Sequence, residues 1–254
     1  MLELTGKTVL VTGGSRGIGA AIVRAVAAAG ADVVVHYNRR RAAAEALAIE
    51  VGVERCHLVA ANFESDSDVT ALWDQAIAWK GRIDVLISNA AVHEWVPFDG
   101  DFQEWRALWH RTMQINLYAA AHLCRAAVLH FRERGGGIVI AVTSNAAHRG
   151  SWPDSVQYAA SKAGIKNLTQ SIARGFAKDN VLAYVLAPGL TRTELSEHYY
   201  QAHASELGDL DKNLPLGEWA PPEDVARMAA FLATGAVRHA TGTTIDVNGA
   251  SYVR

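Results

Sequence analysis

Short, nearly unbroken apolar runs alternate along the chain with longer segments in which apolar positions recur every three to four residues. The first pattern suits a strand covered on both faces, the second an amphipathic helix. The runs predict strands over residues 8–12, 32–36, 57–60, 85–88, 138–143, 182–187 and 244–247. The amphipathic segments predict helices over 18–29, 41–50, 66–79, 102–134, 157–178 and 222–233. Gly30 stands where a helix should stop, and Pro221-Pro222 followed by Glu223 and Asp224 suits a helix entrance. Such alternation predicts an α/β fold, a single doubly wound Rossmann domain with a parallel sheet of about seven strands and helices on both faces.

No linker, repeat or low-complexity tract divides the 254 residues, so residues 1–254 are expected to form one catalytic domain. The least regular stretch, 190–220, carries Tyr199, Tyr200 and Trp219 and is expected to be a substrate loop. Hydrophobic residues make up 50% and charged residues 20%, which excludes disorder of the bulk. The net charge is −2 and the longest basic run is Arg39-Arg40-Arg41, which argues against nucleic-acid and anionic-membrane partners. The opening Met1-Leu2-Glu3-Leu4-Thr5-Gly6-Lys7 lacks the order of a secretion signal, and no apolar run approaches the ~20 residues of a membrane span. Cys56 and Cys124 form no CxxC pair and read as buried thiols. A cytoplasmic protein is expected. The ten histidines show no ligand spacing, so no metal is expected.

The first strand runs into Thr12-Gly13-Gly14-Ser15-Arg16-Gly17-Ile18-Gly19 and then a helix. Glycines there allow a tight turn and let backbone N–H groups approach a pyrophosphate, with the helix dipole behind them. Tyr158-Ala159-Ala160-Ser161-Lys162 opens a later helix. Residues four apart share a helix face, so phenol and ammonium can enter one cleft, where the cation is expected to lower the phenol pKa. Ser144 follows the fifth strand, at the edge where a parallel sheet opens into its binding crevice. Asn116 lies inside the apolar helix 102–134, a poor place for asparagine unless its amide is used.

Together these residues resemble the short-chain dehydrogenase/reductase family in its short single-domain form, closest to the 3-oxoacyl-carrier-protein reductase-like branch. The motifs run in order: Gly13-x-x-x-Gly17-x-Gly19, Asn89-Ala90, Asn116, Ser144, Tyr158-x-x-x-Lys162, Pro188-Gly189, Thr193 and Thr241-Gly242 with Val247-Asn248-Gly249. The resemblance implies a tetrad in which Tyr158 exchanges the proton, Ser144 positions the carbonyl or hydroxyl, Lys162 holds the nicotinamide ribose and Asn116 holds a relay water. It also implies cofactor contacts from Gly13, Ser15, Arg16, Gly17, Ile18, Gly19, Tyr37, Asn38 and Arg39. Further contacts are implied for Asn62, Phe63, Asn89, Ala90, Tyr158, Lys162, Pro188, Gly189, Thr191 and Thr193. Three positions depart from the family pattern. Ser88-Asn89-Ala90-Ala91 replaces the common Asn-Asn-Ala-Gly, and Asn62 replaces a common aspartate near the adenine. The stretch from Ser144 to Tyr158 is one residue longer than usual, with Asn145 at the common serine offset. Ser144 is retained because Gly150 follows it by six.

Readers of NAD place an acid at the end of the second strand to bond the ribose hydroxyls. Here that region reads His36-Tyr37-Asn38-Arg39-Arg40-Arg41, with Arg16 within reach. Arginines supply charge-assisted, bidentate donors to a ribose phosphate, so NADP(H) is expected, with NAD(H) the alternative. Trp95, Asn145, Trp152, Leu190 and Tyr199 are the candidate substrate contacts, in an apolar or aromatic pocket. Trp105 and Trp109 are expected to be core or subunit contacts. The expected reaction is hydride transfer between nicotinamide and a ketone or secondary alcohol, including a 3-oxoacyl thioester. An NAD-dependent dehydrogenase of a sugar, steroid or other alcohol is the second reading, and a cofactor-sensing protein without turnover the third. Arg134 and Arg174 fall near where the resembling branch presents basic residues to an acyl-carrier protein, and the resemblance implies a homotetramer.

Overall fold

In the computed structural model, which describes residues 2–203 and 214–254, seven strands form one parallel sheet. They are β1 (Thr8–Val11), β2 (Asp32–Tyr37), β3 (Cys56–Ala60), β4 (Val85–Ser88), β5 (Gly137–Val142), β6 (Val181–Pro188) and β7 (Thr244–Val247). Their order is β3-β2-β1-β4-β5-β6-β7, so the chain moves outward from β1 to β3, then returns to build the other half from β4. The reversal lies between β1 and β4, where Val9 pairs with Val85 and Val11 with Ile87. A crevice opens there beyond the carboxyl ends of the strands.

Among the described residues the α-helices are α1 (Gly17–Ala28), α2 (Arg41–Val51), α3 (Asp66–Lys80), α4 (Phe102–Met113), α5 (Ala119–Glu133), α6 (Ala146–Arg149), α7 (Val156–Phe176), α8 (Glu194–Ala202) and α9 (Pro222–Ala233). Successive strand residues point to opposite faces, and the two cores divide accordingly. Val9 and Val11 pack with α1 and α9 on one side, while Leu10 packs with α3, α5 and α7 on the other. All eight residues of β6 are buried, as a central strand covered twice requires.

Two expectations change. The helix expected over 102–134 is two helices joined by a π turn at Gln114–Tyr118, with Asn116 buried inside it. The stretch 190–220 is less irregular than its composition suggests: it holds α8, and Thr191 bridges to Ala220. Thr193 caps α8 by accepting from Ser196 N at 3.3 Å, which gives this polar segment its start. Part of the expected loop, residues 204–213, lies outside the described residues.

Cys56 and Cys124 are both free and buried. Among the described residues no helix is long and apolar enough to cross a membrane. Trp105 and Trp109 lie half-buried on α4, their rings 5.3 Å apart beside the exposed Phe102, and belong to neither core. Helices run opposite to the strands, so helix N-termini share the crevice edge and helix C-termini the far edge. Arg134, just after α5, and Arg174, in the last turn of α7, therefore lie at the edge away from the crevice.

Candidate active site

The turn after β1 is folded back on itself by contacts that exclude side chains. A Cβ on Gly19 would lie 2.1 Å from the Gly13 carbonyl oxygen, and one on Gly13, at φ +63°, would lie 2.9 Å from Ala90 Cα. Asn89 clamps the turn from β4, its Nδ2 donating to the carbonyls of Thr12 (2.9 Å) and Gly13 (3.2 Å). In return Thr12 Oγ1 accepts from the N–H groups of Asn89 and Ala90 at 2.9 and 3.0 Å. His36, at the end of β2, accepts from Gly13 N through Nδ1 at 3.0 Å. Its Nε2 faces the Ala61 carbonyl at 3.1 Å, and a carbonyl only accepts, so Nε2 carries the proton. Burial holds this imidazole neutral, with a pKa lowered to about 4, and the ring stacks flat on Phe63 at 4.3 Å.

α1 begins without a side-chain cap and without an acid in its first turn, which leaves its leading N–H groups for an external anion. The crowded glycines and the uncapped helix fit the diphosphate of a dinucleotide. The cleft in front of them, about 420 Å³, joins a second cavity of about 580 Å³ along Val92, Glu94 and Leu195. All the expected cofactor residues border the cleft except Pro188, Gly189 and Thr191. Thr191 is buried, with its hydroxyl on the Gly189 carbonyl at 3.2 Å, and Pro188 accepts from Asn145 N at 2.9 Å. The Thr191 hydroxyl is thus spent within the turn after β6, and the Pro188 carbonyl on the segment after β5. At the ribose end Arg40 faces the cleft as well as Arg39, and both Arg16 and Arg40 pair with Glu194.

The candidate proton-transfer groups meet at the inner end of the cleft. Tyr158, in the first turn of α7, lies near Ser144, whose hydroxyl favours the phenolate but does not outweigh burial: the phenol pKa is raised to about 12, while Ser144 Oγ donates to Asn145 Oδ1 at 3.4 Å and accepts from Ala146 N at 3.1 Å. The expected depression by Lys162 is not found. Lys162 Nζ stands 5.7 Å from the Tyr158 ring centroid and donates to the Val142 carbonyl at 3.0 Å. Burial lowers its own pKa to about 8. Asn116 sits behind them, its Nδ2 donating to Ser161 Oγ (3.1 Å) and to Val92 O (2.9 Å) while its Oδ1 accepts from Val92 N (2.8 Å). Both donors are used, so a water held by this amide would have to donate to it.

Asn116 thereby fixes the segment after β4, which Gln157 Nε2 also holds through Glu94 O at 2.9 Å. That segment carries His93, whose ring stacks on Tyr158 at 4.2 Å and on Tyr199 of α8 at 4.7 Å. Tyr199 stacks in turn on His203 at 4.2 Å, with Trp95 edge-on to Tyr199 at 5.2 Å. Asp154 anchors the far end, accepting from Tyr199 OH at 3.2 Å and lying 2.7 Å from His203 Nε2. Burial is the chief reason that the His93 pKa falls to about 4, and its Nε2 is buried without a partner.

Of the expected substrate contacts, Trp95 borders the second cavity and Tyr199 joins the stack beside it. Trp152 is 48% exposed and, like Leu190, lines neither cavity; Asn145 is buried next to Ser144. His36, His93 and Glu194 belong to no motif and were not expected. The histidine at the end of β2 could have been noticed from its place beside the glycine turn. Nothing in the spacing points to the other two.

Comparison with known proteins gives the arrangement its family. The family profile described as enoyl-(acyl carrier protein) reductase matches residues 13–250. The chain is 34% identical over 249 residues to 3beta-hydroxysteroid dehydrogenase 1 of Eggerthella lenta, covering 97% of this chain and 94% of that protein. It is 33% identical over 255 residues to a 3-oxoacyl-[acyl-carrier-protein] reductase of Synechocystis sp., covering 98% of each. A crystal structure of 3-ketoacyl-(acyl-carrier-protein) reductase from Brucella melitensis complexed with NADH superposes with a TM-score of 0.86 at 27% identity, covering 99% of this chain and 100% of that one. The chain belongs to the short-chain dehydrogenase/reductase family and is a pyridine-nucleotide-dependent oxidoreductase of the carbonyl/alcohol pair.

Proposed function

We propose that this protein is an NADP(H)-dependent reductase of ring-bearing ketones, working in reverse on the corresponding secondary alcohols. The observation that carries the reading is the meeting of the Tyr158 phenol and the Lys162 ammonium on the cleft wall, with Ser144 beside the phenol. A bound nicotinamide dinucleotide supplies or accepts the hydride. Ser144 donates to the substrate oxygen and holds it beside Tyr158. Tyr158, kept protonated by burial, donates the proton that completes the alcohol. Lys162 places a cation beside the developing charge, and Asn116 holds the 92–96 segment against it. Gly13, Gly17, Gly19 and the start of α1 receive the diphosphate.

Arg16 and Arg40, with no carboxylate at the end of β2, favour the ribose phosphate and hence NADP(H) over NAD(H). The aromatic side chains His93, Trp95 and His198 that line the second cavity favour a ring system over a flexible chain. Similarity to a hydroxysteroid dehydrogenase supports the same choice. Arg134 and Arg174, at the far edge of the sheet, give a carrier-bound 3-oxoacyl substrate no support within one protomer. Exposed Phe102, Tyr118 and Leu129 on α4, the π turn and α5 support assembly through these helices into a homotetramer. Two buried free thiols fit a reducing compartment such as the cytoplasm.

The test is a panel of cyclic and linear ketones and 3-oxoacyl thioesters, run with NADPH and with NADH. The expected result is turnover of cyclic ketones with kcat/KM higher for NADPH. Turnover confined to acyl thioesters, or equal efficiency with both cofactors, would overturn the corresponding part of the reading. Sedimentation of a stable monomer would overturn the assembly.

A further inference from the structure

Glu194 opens α8, the helix whose Tyr199 joins the aromatic stack over Tyr158. Its carboxylate reaches across the cleft to the two arginines at the ribose end. Arg16 Nη1 lies 2.9 Å from Glu194 Oε2 and Arg40 Nη2 3.0 Å from the same oxygen, while Arg40 Nη1 donates to Oε1 at 3.4 Å. Arg16 and Arg40 form no other ion pair among the described residues. Neighbouring Arg41 is taken by Glu45 and turns away along α2. One carboxylate from the substrate side therefore occupies the guanidinium fork that a ribose phosphate would use.

We propose that Glu194 is a cofactor-specificity residue, an internal competitor that lowers the enzyme's preference for a 2′-phosphorylated dinucleotide. The inference rests on the reading of Arg16 and Arg40 as the phosphate-binding pair. A carboxylate and a phosphate monoester each offer arginine a pair of oxygens for bidentate bonding, and the phosphate carries more charge. About half of each of the three side chains is exposed, so the existing pairs are screened and a dianion can displace the carboxylate. A dinucleotide without the phosphate leaves the bridge intact. Binding of the phosphate releases the first turn of α8, and linkage requires that opening α8 strengthen phosphate binding by the same factor.

Calorimetric titration of the full-length protein with 2′,5′-ADP and with 5′-AMP tests this without turnover. In the wild type 2′,5′-ADP is expected to bind more tightly than 5′-AMP, and Arg40→Ala to remove most of that margin. Glu194→Gln is expected to tighten 2′,5′-ADP about three- to tenfold, the range for two screened ion pairs, and to leave 5′-AMP unchanged. A margin that Arg16→Ala and Arg40→Ala leave untouched would overturn the phosphate reading and the inference with it. A margin lost in Arg40→Ala but unaltered in Glu194→Gln would overturn the inference alone. Weaker 5′-AMP binding in Glu194→Gln would also overturn it, by showing that the carboxylate bonds the ribose hydroxyls. Matching thermal melts of the variants exclude misfolding as the cause.

Discussion

The His93 imidazole lies against the Tyr158 phenol, ring centroids 4.2 Å apart and planes 29° from parallel. Burial keeps this ring neutral, so it adds bulk and a flat face beside the phenol without repelling the Lys162 ammonium. His93→Ala removes that face. kcat is expected to fall about ten- to hundredfold as the phenol loses its fixed position, with the cofactor dissociation constant unchanged. Steady-state kinetics beside fluorescence titration of NADPH separates the two.

Tyr158→Phe deletes the proton donor and leaves the ring. Ketone reduction is expected to fall about a hundred- to ten-thousandfold while NADPH binding persists. With the phenol pKa raised to about 12, the protonated form dominates at neutral pH and suits reduction. Alcohol oxidation needs the phenolate, so its rate should climb by roughly a factor of ten per pH unit below that value. A flat oxidation profile from pH 7 to 10 would remove Tyr158 from the proton transfer.

Lys162 works against the fold that holds it. Its pKa falls from the ordinary 10.5 to about 8 on burial, so below pH 8 both folded and unfolded chains carry the charge and the folded one bears its desolvation. Between pH 8 and 10.5 the unfolded chain binds more protons, and stability from this group rises with pH. Lys162→Met should therefore stabilise the cofactor-free protein at pH 7 by about 1–2 kcal/mol, after allowing for the bond to Val142 O, while abolishing turnover. Urea denaturation and the kinetic assay measure the two effects.

His36 makes the glycine turn sensitive to acid. Its pKa is lowered from 6.5 to about 4, so the stability it contributes is complete above pH 6.5 and is lost as pH falls toward 4. The loss is on the order of 2–3 kcal/mol, and protonating Nδ1 also removes the acceptor for Gly13 N. His36→Gln should flatten this part of the pH–stability curve. An unchanged slope between pH 6.5 and 4 in that variant would contradict the assignment.

What could be read from the sequence is what local rules control. The βα alternation, the glycine turn and the four-residue spacing of Tyr158 and Lys162 each depend on neighbours within one or two turns of chain. The Arg16–Glu194 pair joins residues 178 apart, and the stack of His93 between Tyr158 and Tyr199 draws on three separate elements. No periodicity encodes such meetings. The sign of the Tyr158 shift was hidden for a related reason: spacing places a cation near a phenol, but the depth of burial decides which effect wins.

The π turn at Gln114–Tyr118 carries a last consequence. An α-helix advances about 100° per residue, and the wide turn accommodates one surplus residue without breaking the rod. The turn itself sets Asn116 on Val92, in the phase that it inherits from α4; downstream the helix is in phase to bury Leu123, Ala127 and Phe131. Deleting a single residue here would straighten the helix and rotate one half relative to the other by about 100°. The protein would keep its amide clamp or its buried stripe, and lose the other.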